Sequence, residues 1–243
     1  MSKSPEAIKE LQNIINKYDN IVFFGGAGVS TESGIPDFRS VDGLYHQQYD
    51  YPPETILSHS FYRSNPKEFY RFYHNKMLFP NACPNAAHLK LAELEVRGKL
   101  RAVITQNIDG LHQAAGSKVV LELHGSVLRN YCEDCGAFYD LTYIMKDKGV
   151  PKCEACGGPV KPDVVLYEEG LDQKTIAESI HYIQNADVLI IGGTSLAVYP
   201  AAGLIDYFSG DKLVVINKAP TSRDAHADLL IQDAIGEVFS QIV

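Results

Sequence analysis

Ile21-Val-Phe-Phe-Gly-Gly-Ala-Gly-Val-Ser30 passes from four apolar residues directly into a cluster of glycines. This pattern predicts a buried strand that ends in a tight turn. Backbone amides in such a turn can face a pyrophosphate at the start of a following helix. The dinucleotide motif is incomplete, because Thr31 stands in place of its third glycine. A plain strand-to-helix turn therefore explains the glycines about as well as a nucleotide site does.

Further apolar runs follow along the chain, at residues 102–104, 119–123, 164–167, 188–191, 213–216 and 229–231. Helical patterns lie at residues 86–97, 174–184 and 199–208, and an amphipathic helix opens at Pro5 behind a capping Ser4. Apolar strands that alternate with helices are typical of a parallel sheet covered on both faces. The sequence therefore predicts an α/β fold with a doubly wound, mainly parallel, Rossmann-like sheet.

Two stretches interrupt this alternation and predict a smaller domain. Residues 34–84 are rich in Tyr, Pro and His, and residues 129–163 hold four of the five cysteines. We expect one catalytic unit over residues 1–243, in which a Rossmann-like domain comprises about residues 1–36, 84–128 and 162–243. The small domain is expected to combine a helical segment, about residues 37–83, with an inserted zinc ribbon, about residues 129–161.

The composition excludes several classes of protein. The chain has 243 residues, a net charge of -8 and 45% hydrophobic residues, which excludes disordered and fibrous proteins. The acidity argues against nucleic-acid binding, which depends on clustered Lys and Arg. No window approaches the roughly 18 apolar residues of a membrane span, and the charged residues 1–10 lack an apolar signal region. We therefore expect a cytoplasmic protein with neither a nucleic acid nor a membrane as partner.

Two Cys-x-x-Cys pairs predict a metal site, Cys132 with Cys135 and Cys153 with Cys156. Each pair can turn two thiolates toward one ion, and the spacing lets both pairs complete a tetrahedral four-thiolate zinc site. Two separate redox pairs are the alternative, which this spacing does not favour. Because four protein ligands leave no open coordination position, we expect one structural Zn2+ per chain. The fifth cysteine, Cys83, is expected to be a free thiol.

Polar residues follow three predicted strands, where open α/β sheets bind ligands. Thr194 and Ser195 come after a second glycine turn, Asn217 ends a third strand, and Gln106-Asn-Ile-Asp109 follows the strand at residues 102–104. These segments would gather at one edge of the sheet. A helix cap is the alternative role for Asp109, because Asp favours that position.

His124 follows the apolar run at residues 119–123 and is expected at the same edge. An ordinary core or surface histidine is the more common reading for any one of the eight histidines. An imidazole with a pKa of about 6.5 is suited to general-base work at neutral pH. His124 is therefore the best general-base candidate in the chain.

These motifs occur in a characteristic order: Gly26-Ala-Gly-Val-Ser30, Gly34-Ile-Pro-Asp-Phe-Arg39, Thr105-Gln-Asn-Ile-Asp109 with Leu111-His112, His124-Gly125, the two cysteine pairs, Gly193-Thr-Ser-Leu196 and Val215-Ile-Asn217. Together they resemble the sirtuins, the NAD-dependent protein deacylases. The match extends from about Ala7 to Val238, and its blocks at residues 34–39 and 105–112 are specific to that family.

The resemblance implies roles for individual residues. Positions that contact the dinucleotide in sirtuins are occupied here by Ala27, Thr31, Arg39, Gln106, Thr194, Ser195 and Asn217. Positions that line the nicotinamide and its ribose are occupied by Phe38, Asn107, Ile108 and Asp109. The same likeness makes His124 the catalytic base and Asn107 the second catalytic residue. Simple core packing is the alternative for Phe38.

The resemblance also implies the reaction. NAD would be the co-substrate and acetylated proteins or peptides the substrates, and the products would be free lysine, nicotinamide and O-acyl-ADP-ribose. Sirtuins usually carry a strand ending Phe-Gly-Glu that pairs with the substrate backbone. The corresponding strand here holds Val165, which is expected to contact substrate, and has Glu168 in place of the glycine.

The acyl group is expected to be short and neutral. The Tyr-x-x-Arg pair that marks sirtuins preferring succinyl or malonyl lysine is not evident, and Tyr73 with Lys76 is its nearest counterpart. Two other functions use the same features: ADP-ribosyl transfer to protein, and non-catalytic NAD sensing. A sensor is disfavoured by four intact residues, because a pure binder needs no base: Arg39, Asn107, Asp109 and His124.

Overall fold

The structure is a computed structural model that describes residues 4–37 and 51–243. Within these ranges the strands are β1 (Ile21–Gly25), β2 (Leu100–Thr105), β3 (Val120–Glu122), β4 (Gly125–Cys132), β5 (Phe138–Asp140), β6 (Val160–Val164), β7 (Val188–Gly192), β8 (Lys212–Ile216) and β9 (Leu229–Ile231). The α-helices are α1 (Pro5–Lys17), α2 (Pro53–Ile56), α3 (His59–Ser64), α4 (Pro66–Lys76), α5 (Ala86–Val96), α6 (Leu111–Ala115), α7 (Leu141–Met145), α8 (Gln173–Asn185) and α9 (Ile235–Phe239). Short 3-10 helices lie at Ala27–Val29, Thr31–Ser33, Ala201–Tyr207 and Asp224–His226.

A six-stranded sheet in the order β3-β2-β1-β7-β8-β9 forms the centre of the protein. Its neighbouring strands are all parallel. β1 and β7 are buried at every residue, as inner strands covered on both faces must be. The chain winds outward from β1 in one direction and from β7 in the other, so the topological switch point lies between these two strands. The predicted doubly wound, mainly parallel α/β fold is confirmed.

The two faces of this sheet bury separate hydrophobic clusters. One cluster lies under α1, α5 and α9, where Leu11, Leu91 and Phe239 are fully buried. The other lies under α8 and the 3-10 helix at Ala201–Tyr207, and it includes Ile183 and Leu204. The sequence predicted an ordinary helix at residues 199–208, but the structure has a 3-10 helix there. Its interior Gly203 disfavours a regular α-helix.

The apolar run at residues 164–167 is not a strand of the main sheet, contrary to the prediction. Val164 ends β6, which pairs antiparallel with β4 in a separate three-stranded sheet ordered β5-β4-β6. Burial alternates along β6, as expected for a strand covered on one face, whereas β1 and β7 are buried throughout. Beyond β6, Tyr167 forms a parallel bridge with Ser58 between α2 and α3.

A third hydrophobic cluster joins the helical segment to the cysteine-bearing sheet. It contains the fully buried Phe69, Tyr70 and Tyr73 of α4 together with Cys132 and Val160. The hydroxyl of Tyr70 also donates a hydrogen bond to the carbonyl of Val160. Residues from α2 to α4 and from β4 to β6 therefore share one core.

The carboxyl ends of all six main strands lie in one row. Gly25 pairs with Thr105 on one side and with Gly192 on the other, and Gly192 pairs in turn with Ile216. Glu122 and Ile231 extend the row at its two edges. The loops that follow these residues consequently begin at the same edge of the sheet, where open α/β sheets bind ligands.

Candidate active site

A cleft of about 1410 Å3 opens at this edge of the sheet. Every predicted dinucleotide, catalytic and substrate residue in the described ranges lines it: Ala27, Thr31, Gln106, Asn107, Ile108, Asp109, His124, Val165, Thr194, Ser195 and Asn217. Phe38 and Arg39 lie outside the described residues. The structure thus brings together side chains from loops that are far apart in the sequence.

Two glycine turns pack backbone to backbone in this cleft. Gly28 N donates a hydrogen bond to Gly193 O at 2.7 Å, and Gly26 N donates to Gly192 O at 3.3 Å. A Cβ on Gly28 would lie 2.8 Å from backbone atoms of Gly193, a distance that real Cβ atoms do not reach. Gly193 itself has φ +57°, in the left-handed region that favours glycine. These turns therefore join the ends of β1 and β7 at the switch point.

Most amides of the first glycine turn are used within the protein. Val29 N donates to Gly26 O and Ser30 N donates to Ala27 O, because the chain continues as two 3-10 helices rather than as an α-helix. The expected start of a regular helix is therefore absent from this part of the described chain. Ala27 N and Thr194 N make no hydrogen bond to any described residue. These two amides, one from each glycine turn, are available to a phosphate.

Ser30 links the two most polar side chains of the cleft. Asn107 Nδ2 donates to Ser30 Oγ at 3.0 Å, and Ser30 Oγ donates in turn to Asp109 Oδ2 at 2.7 Å. Asn107 and Ser30 are both buried, and Thr105 Oγ1 accepts from Asn107 N at 3.0 Å. A buried chain of satisfied hydrogen bonds holds its members in one orientation. Asn107 and Asp109 are therefore rigidly placed.

Asp109 lies one residue before Gly110, the N-cap of α6, but its side chain still binds an amide at the helix start. Its Oδ1 accepts from Leu111 N at 2.9 Å, at the first residue of α6. One carboxylate oxygen thus stabilises the helix start and the other binds Ser30. Because each oxygen has two lone pairs, the carboxylate can still accept a further bond from a ligand in the cleft.

His124 is held by the main chain of Gln106. His124 Nδ1 lies 3.0 Å from Gln106 O. A carbonyl oxygen can only accept, so the ring proton is on Nδ1 and the lone pair is on Nε2. Burial lowers the pKa of His124 below its usual value, although the bond to Gln106 opposes this. The imidazole is therefore neutral at pH 7, as a general base must be.

Polar contacts also tie the strand-end loops to one another. Gln106 Nε2 donates to Thr194 Oγ1 at 3.0 Å, across the end of β1. Thr31 Oγ1 donates to Gly28 O at 3.0 Å, which fixes the second 3-10 helix on the first glycine turn. At the other side of the cleft, Asn217 Nδ2 donates to Ala219 O at 2.7 Å. The loops after β2 and β7 are thus joined by a side-chain hydrogen bond, whereas the bonds of Thr31 and Asn217 each fix their own loop.

Val165 lies directly beside the histidine. Val165 N donates to His124 O at 3.0 Å, so the segment after β6 is joined to the backbone of the candidate base. The side chain of Val165 is half-buried and lines the cleft. Val127 N, in β4, donates to Ile108 O in the loop after β2 at 3.0 Å. The backbone at Val165 is therefore fixed next to His124 in the cleft.

The four predicted metal ligands converge. Cys132 Sγ lies 3.4 Å from Cys156 Sγ, Cys135 Sγ lies 3.5 Å from Cys153 Sγ, and the four sulfur atoms lie within 4.8 Å of one another. A tetrahedral site with Zn–S bonds of about 2.3 Å needs sulfur atoms about 3.8 Å apart. The cluster therefore fits one zinc ion.

The surroundings of the cluster suit a closed structural site. Tyr139 Oη donates to Cys153 Sγ at 3.1 Å and accepts from Glu154 N at 2.7 Å, which orients the second cysteine pair. The cysteines do not line the cleft described above. Cys83 is exposed and is not a member of the cluster.

Ser30 is the residue of this site that the sequence analysis did not single out. The glycine motif that ends in Ser30 was recognised, but attention went to its backbone amides. A serine gives no distinctive sequence signal, because serines are common in turns. Only its position opposite Asn107 and Asp109 shows that its hydroxyl connects them.

Known proteins share this sequence and fold. The chain matches the Sir2 family over residues 26–200. It is 60% identical over 241 residues to the NAD-dependent protein deacetylase of Clostridium perfringens, a match that covers 98% of this chain and 99% of the relative. It is 58% identical over 241 residues to the NAD-dependent protein deacetylase of Clostridium acetobutylicum, with 98% of each chain covered.

Solved structures agree with the sequence matches. A structure from work on the mechanism and regulation of Sir2 enzymes has a TM-score of 0.89 and 43% identity, and covers 99% of this chain and 97% of that one. A structure of Sir2 with a p53 peptide and NAD+ has a TM-score of 0.85 and 40% identity, with 96% of each chain covered.

Proposed function

The chain belongs to the Sir2 family, and from this we propose that it is an NAD-dependent protein-lysine deacetylase. It removes acetyl and other short neutral acyl groups from lysine side chains of proteins and peptides, and it releases nicotinamide and O-acetyl-ADP-ribose. The observation that carries the proposal is the meeting of Asn107, Asp109 and His124 with two glycine turns in one cleft.

The dinucleotide would lie across the switch point. Ala27 N and Thr194 N are amides suited to its phosphates, and Asn217 is suited to a ribose diol. Arg39 and Phe38 complete this set by family resemblance. When bound, NAD supplies an electrophilic ribose carbon and the ribose hydroxyl to which the acyl group passes. The glycines let the two turns that carry these amides pack closely, since a Cβ at Gly26, Gly28 or Gly193 would lie within 3 Å of atoms of the facing turn.

His124 would act as the general base. Its Nε2 holds the lone pair and is the atom that would take a proton from the ribose hydroxyl of NAD. Its lowered pKa keeps it neutral, and the bond from Nδ1 to Gln106 O keeps the ring in place. Asn107 and Asp109 would hold the nicotinamide end, because Ser30 presents them side by side.

The acetyl-lysine peptide would lie along residues 165–167. We assign these residues to a Rossmann-like domain (about residues 1–36, 84–128 and 162–243), close to its boundary with a small domain (about 37–83 and 129–161). The shared core of α2–α4 and β4–β6 supports this division.

Four thiolates would hold one structural Zn2+ in the small domain.

We also propose that the protein acts in the cytoplasm. Among residues 4–37 and 51–243, no helix has the length and apolar character needed to cross a bilayer.

Incubation with NAD and an acetylated peptide tests the proposal. We expect nicotinamide, deacetylated peptide and O-acetyl-ADP-ribose in equal amounts. Transfer of labelled ADP-ribose to protein would instead indicate an ADP-ribosyltransferase. Absence of nicotinamide release, with NAD binding retained, would indicate a sensor and overturn the proposal.

A further inference from the structure

The segment after β6 is bonded to two parts of the protein. Val165 N donates to His124 O, Tyr167 N donates to Leu57 O, and His59 N donates to Tyr167 O, each at 3.0 Å. The first bond reaches the candidate base, the second reaches the end of α2 and the third reaches the start of α3. This segment therefore connects the catalytic cleft to α2 and α3.

Glu168 lies at the end of this segment in a strained conformation. Its φ is +74°, in the left-handed region, and among the described non-glycine residues only Leu196 shares this property. Side chains with a Cβ disfavour this region, which is why glycine is common there. The conformation persists only where surrounding contacts hold it.

Both oxygens of the Glu168 carboxylate bind Ser60. Glu168 Oε2 accepts from Ser60 N at 2.9 Å, and Oε1 accepts from Ser60 Oγ at 2.9 Å. Ser60 is in the first turn of α3, so the side chain spans the gap between the strained turn and the helix. A carboxylate that accepts two bonds from one residue has a defined orientation as well as a defined distance.

Glu169 reinforces the same connection. Its Oε1 lies 2.8 Å from His59 Nδ1, and its Oε2 accepts from Leu166 N at 2.8 Å and from Lys161 Nζ at 3.2 Å. Two consecutive carboxylates therefore bind two consecutive residues of α3. The backbone between Val165 and Glu169 is held from both sides.

Val165 has one backbone group left for a ligand. Its N–H donates a hydrogen bond to His124 O, whereas its carbonyl accepts no hydrogen bond from any described residue. A peptide that adds as a strand is recognised by such main-chain groups, and its affinity depends on how well they are pre-positioned.

We propose that Glu168 is a positioning residue for the peptide substrate. Through its two hydrogen bonds to Ser60, Glu168 holds residues 165–167 in the conformation in which the Val165 carbonyl can accept a hydrogen bond from the peptide. The inference rests on the proposed deacetylase function, because it concerns the acetyl-lysine peptide. A glycine at position 168 would remove the backbone strain, but it would also remove both hydrogen bonds to Ser60.

Steady-state kinetics on Glu168→Ala, Glu168→Gln and Ser60→Ala test this role. For Glu168→Ala we expect the peptide KM to rise about fivefold or more, with smaller changes in kcat and in the KM for NAD, as for a lost binding interaction. Ser60→Ala retains one of the two bonds, and Glu168→Gln can keep both only as neutral bonds, so both variants should show intermediate values. The double variant Glu168→Ala with Ser60→Ala should be no worse than Glu168→Ala, because the two residues act as a pair. Glu10→Ala, which removes an exposed carboxylate on α1, is the matched control.

Peptide binding without NAD, measured by fluorescence anisotropy, supplies a readout that does not depend on turnover. A Glu168→Ala peptide KM and dissociation constant within twofold of wild type would overturn the inference. Equal losses in peptide KM, NAD KM and thermal stability would also overturn it, because they indicate general structural damage. A wild-type protein that binds acetyl peptide but releases no nicotinamide would instead overturn the proposed function.

Discussion

His124 Nδ1 and the main-chain oxygen of Gln106 lie 3.0 Å apart, so a backbone group orients the imidazole. The side chain of the same glutamine reaches Thr194 Oγ1 on the second glycine turn. The orientation of the base therefore depends on the turn at the switch point. Among the described residues, the partner of Nδ1 is this carbonyl and not a carboxylate that would itself titrate.

This relationship predicts a simple pH dependence. The neutral imidazole is the active form, and burial lowers the pKa of His124. We therefore expect kcat/KM for the acetyl peptide to fall on acidification with an apparent pKa below the ordinary histidine value of about 6.5. Rates measured between pH 5 and 8 in buffers of constant ionic strength check this. An acid limb centred above pH 7 would contradict it.

Loss of the base should affect turnover more than binding. We expect His124→Ala to retain NAD and peptide binding and to lose about 100- to 10,000-fold in turnover, the usual contribution of general-base catalysis. His181→Ala, at an exposed position of α8, is the control and should turn over normally. Single-turnover rates and calorimetric binding separate the two effects. Turnover of His124→Ala within about threefold of wild type would remove this role.

The cysteine cluster should hold one zinc ion per chain. Cys132→Ala should lose zinc and unfold the region around the cluster, because formation of such a site is coupled to folding. Elemental analysis and proteolysis of the purified protein give the two readouts. Cys83→Ala is the matched control, since Cys83 is exposed and outside the cluster. Folded, active protein without zinc would refute the prediction.

The acyl preference depends on charge in the cleft. Tyr73 is fully buried in the third hydrophobic cluster, and Arg71 bonds Glu68 on the surface, whereas Lys76 lines the cleft. Lysine holds a carboxylate less specifically than arginine does, and a succinyl carboxylate must lose its water on entry. We expect kcat/KM for acetyl lysine to exceed that for succinyl lysine at least about tenfold, or about 1.4 kcal/mol.

Lys76→Met tests the origin of this preference. If Lys76 supplies the residual succinyl activity, the variant should lose that activity and keep deacetylation. Equal or faster desuccinylation by the wild-type protein would contradict the prediction. It would also show that a cation meets the acyl carboxylate.

A buried histidine pair predicts acid sensitivity. The rings of His88 and His112 lie 4.7 Å apart, and burial lowers the pKa of His88 to about 4 and that of His112 to about 3, with Asp109 opposing the shift at His88. Below about pH 6.5 the unfolded chain binds protons that the native protein excludes, so stability falls as the pH decreases. We expect a loss of about 1 kcal/mol per pH unit for each histidine between pH 6 and 4.

Urea unfolding at several pH values measures this slope. A His112→Leu variant should show a shallower dependence, because one of the two buried imidazoles is gone. Stability that stays constant between pH 7 and 5 would contradict the prediction.

The parts of the site that lie just after a strand were predictable from the sequence. A buried strand next to glycine or amide residues is a local signal, and Gly193, Gln106 and Asn217 each carry it. Ser30 gave no such signal, because its role depends on Asn107 and Asp109, which come from another loop.

The run at residues 164–167 was misassigned for a related reason. Its apolar residues match a main-sheet strand, but its neighbours in the fold are β4 and the turn before α3, which are distant in the sequence. Local pattern specifies that a segment is extended. It does not specify which sheet the segment joins.

The common core of α4 and the cysteine-bearing sheet also limits how this protein can be engineered. Tyr70 and Tyr73 of α4 pack against the same interior as Cys132 and Val160. In a chimera that exchanged only β4–β6 with those of a relative, these aromatic rings would pack against a foreign and less complementary surface. The transplantable unit is therefore the discontinuous set of α2–α4 and β4–β6, and exchanging both pieces together should preserve expression where exchanging one does not.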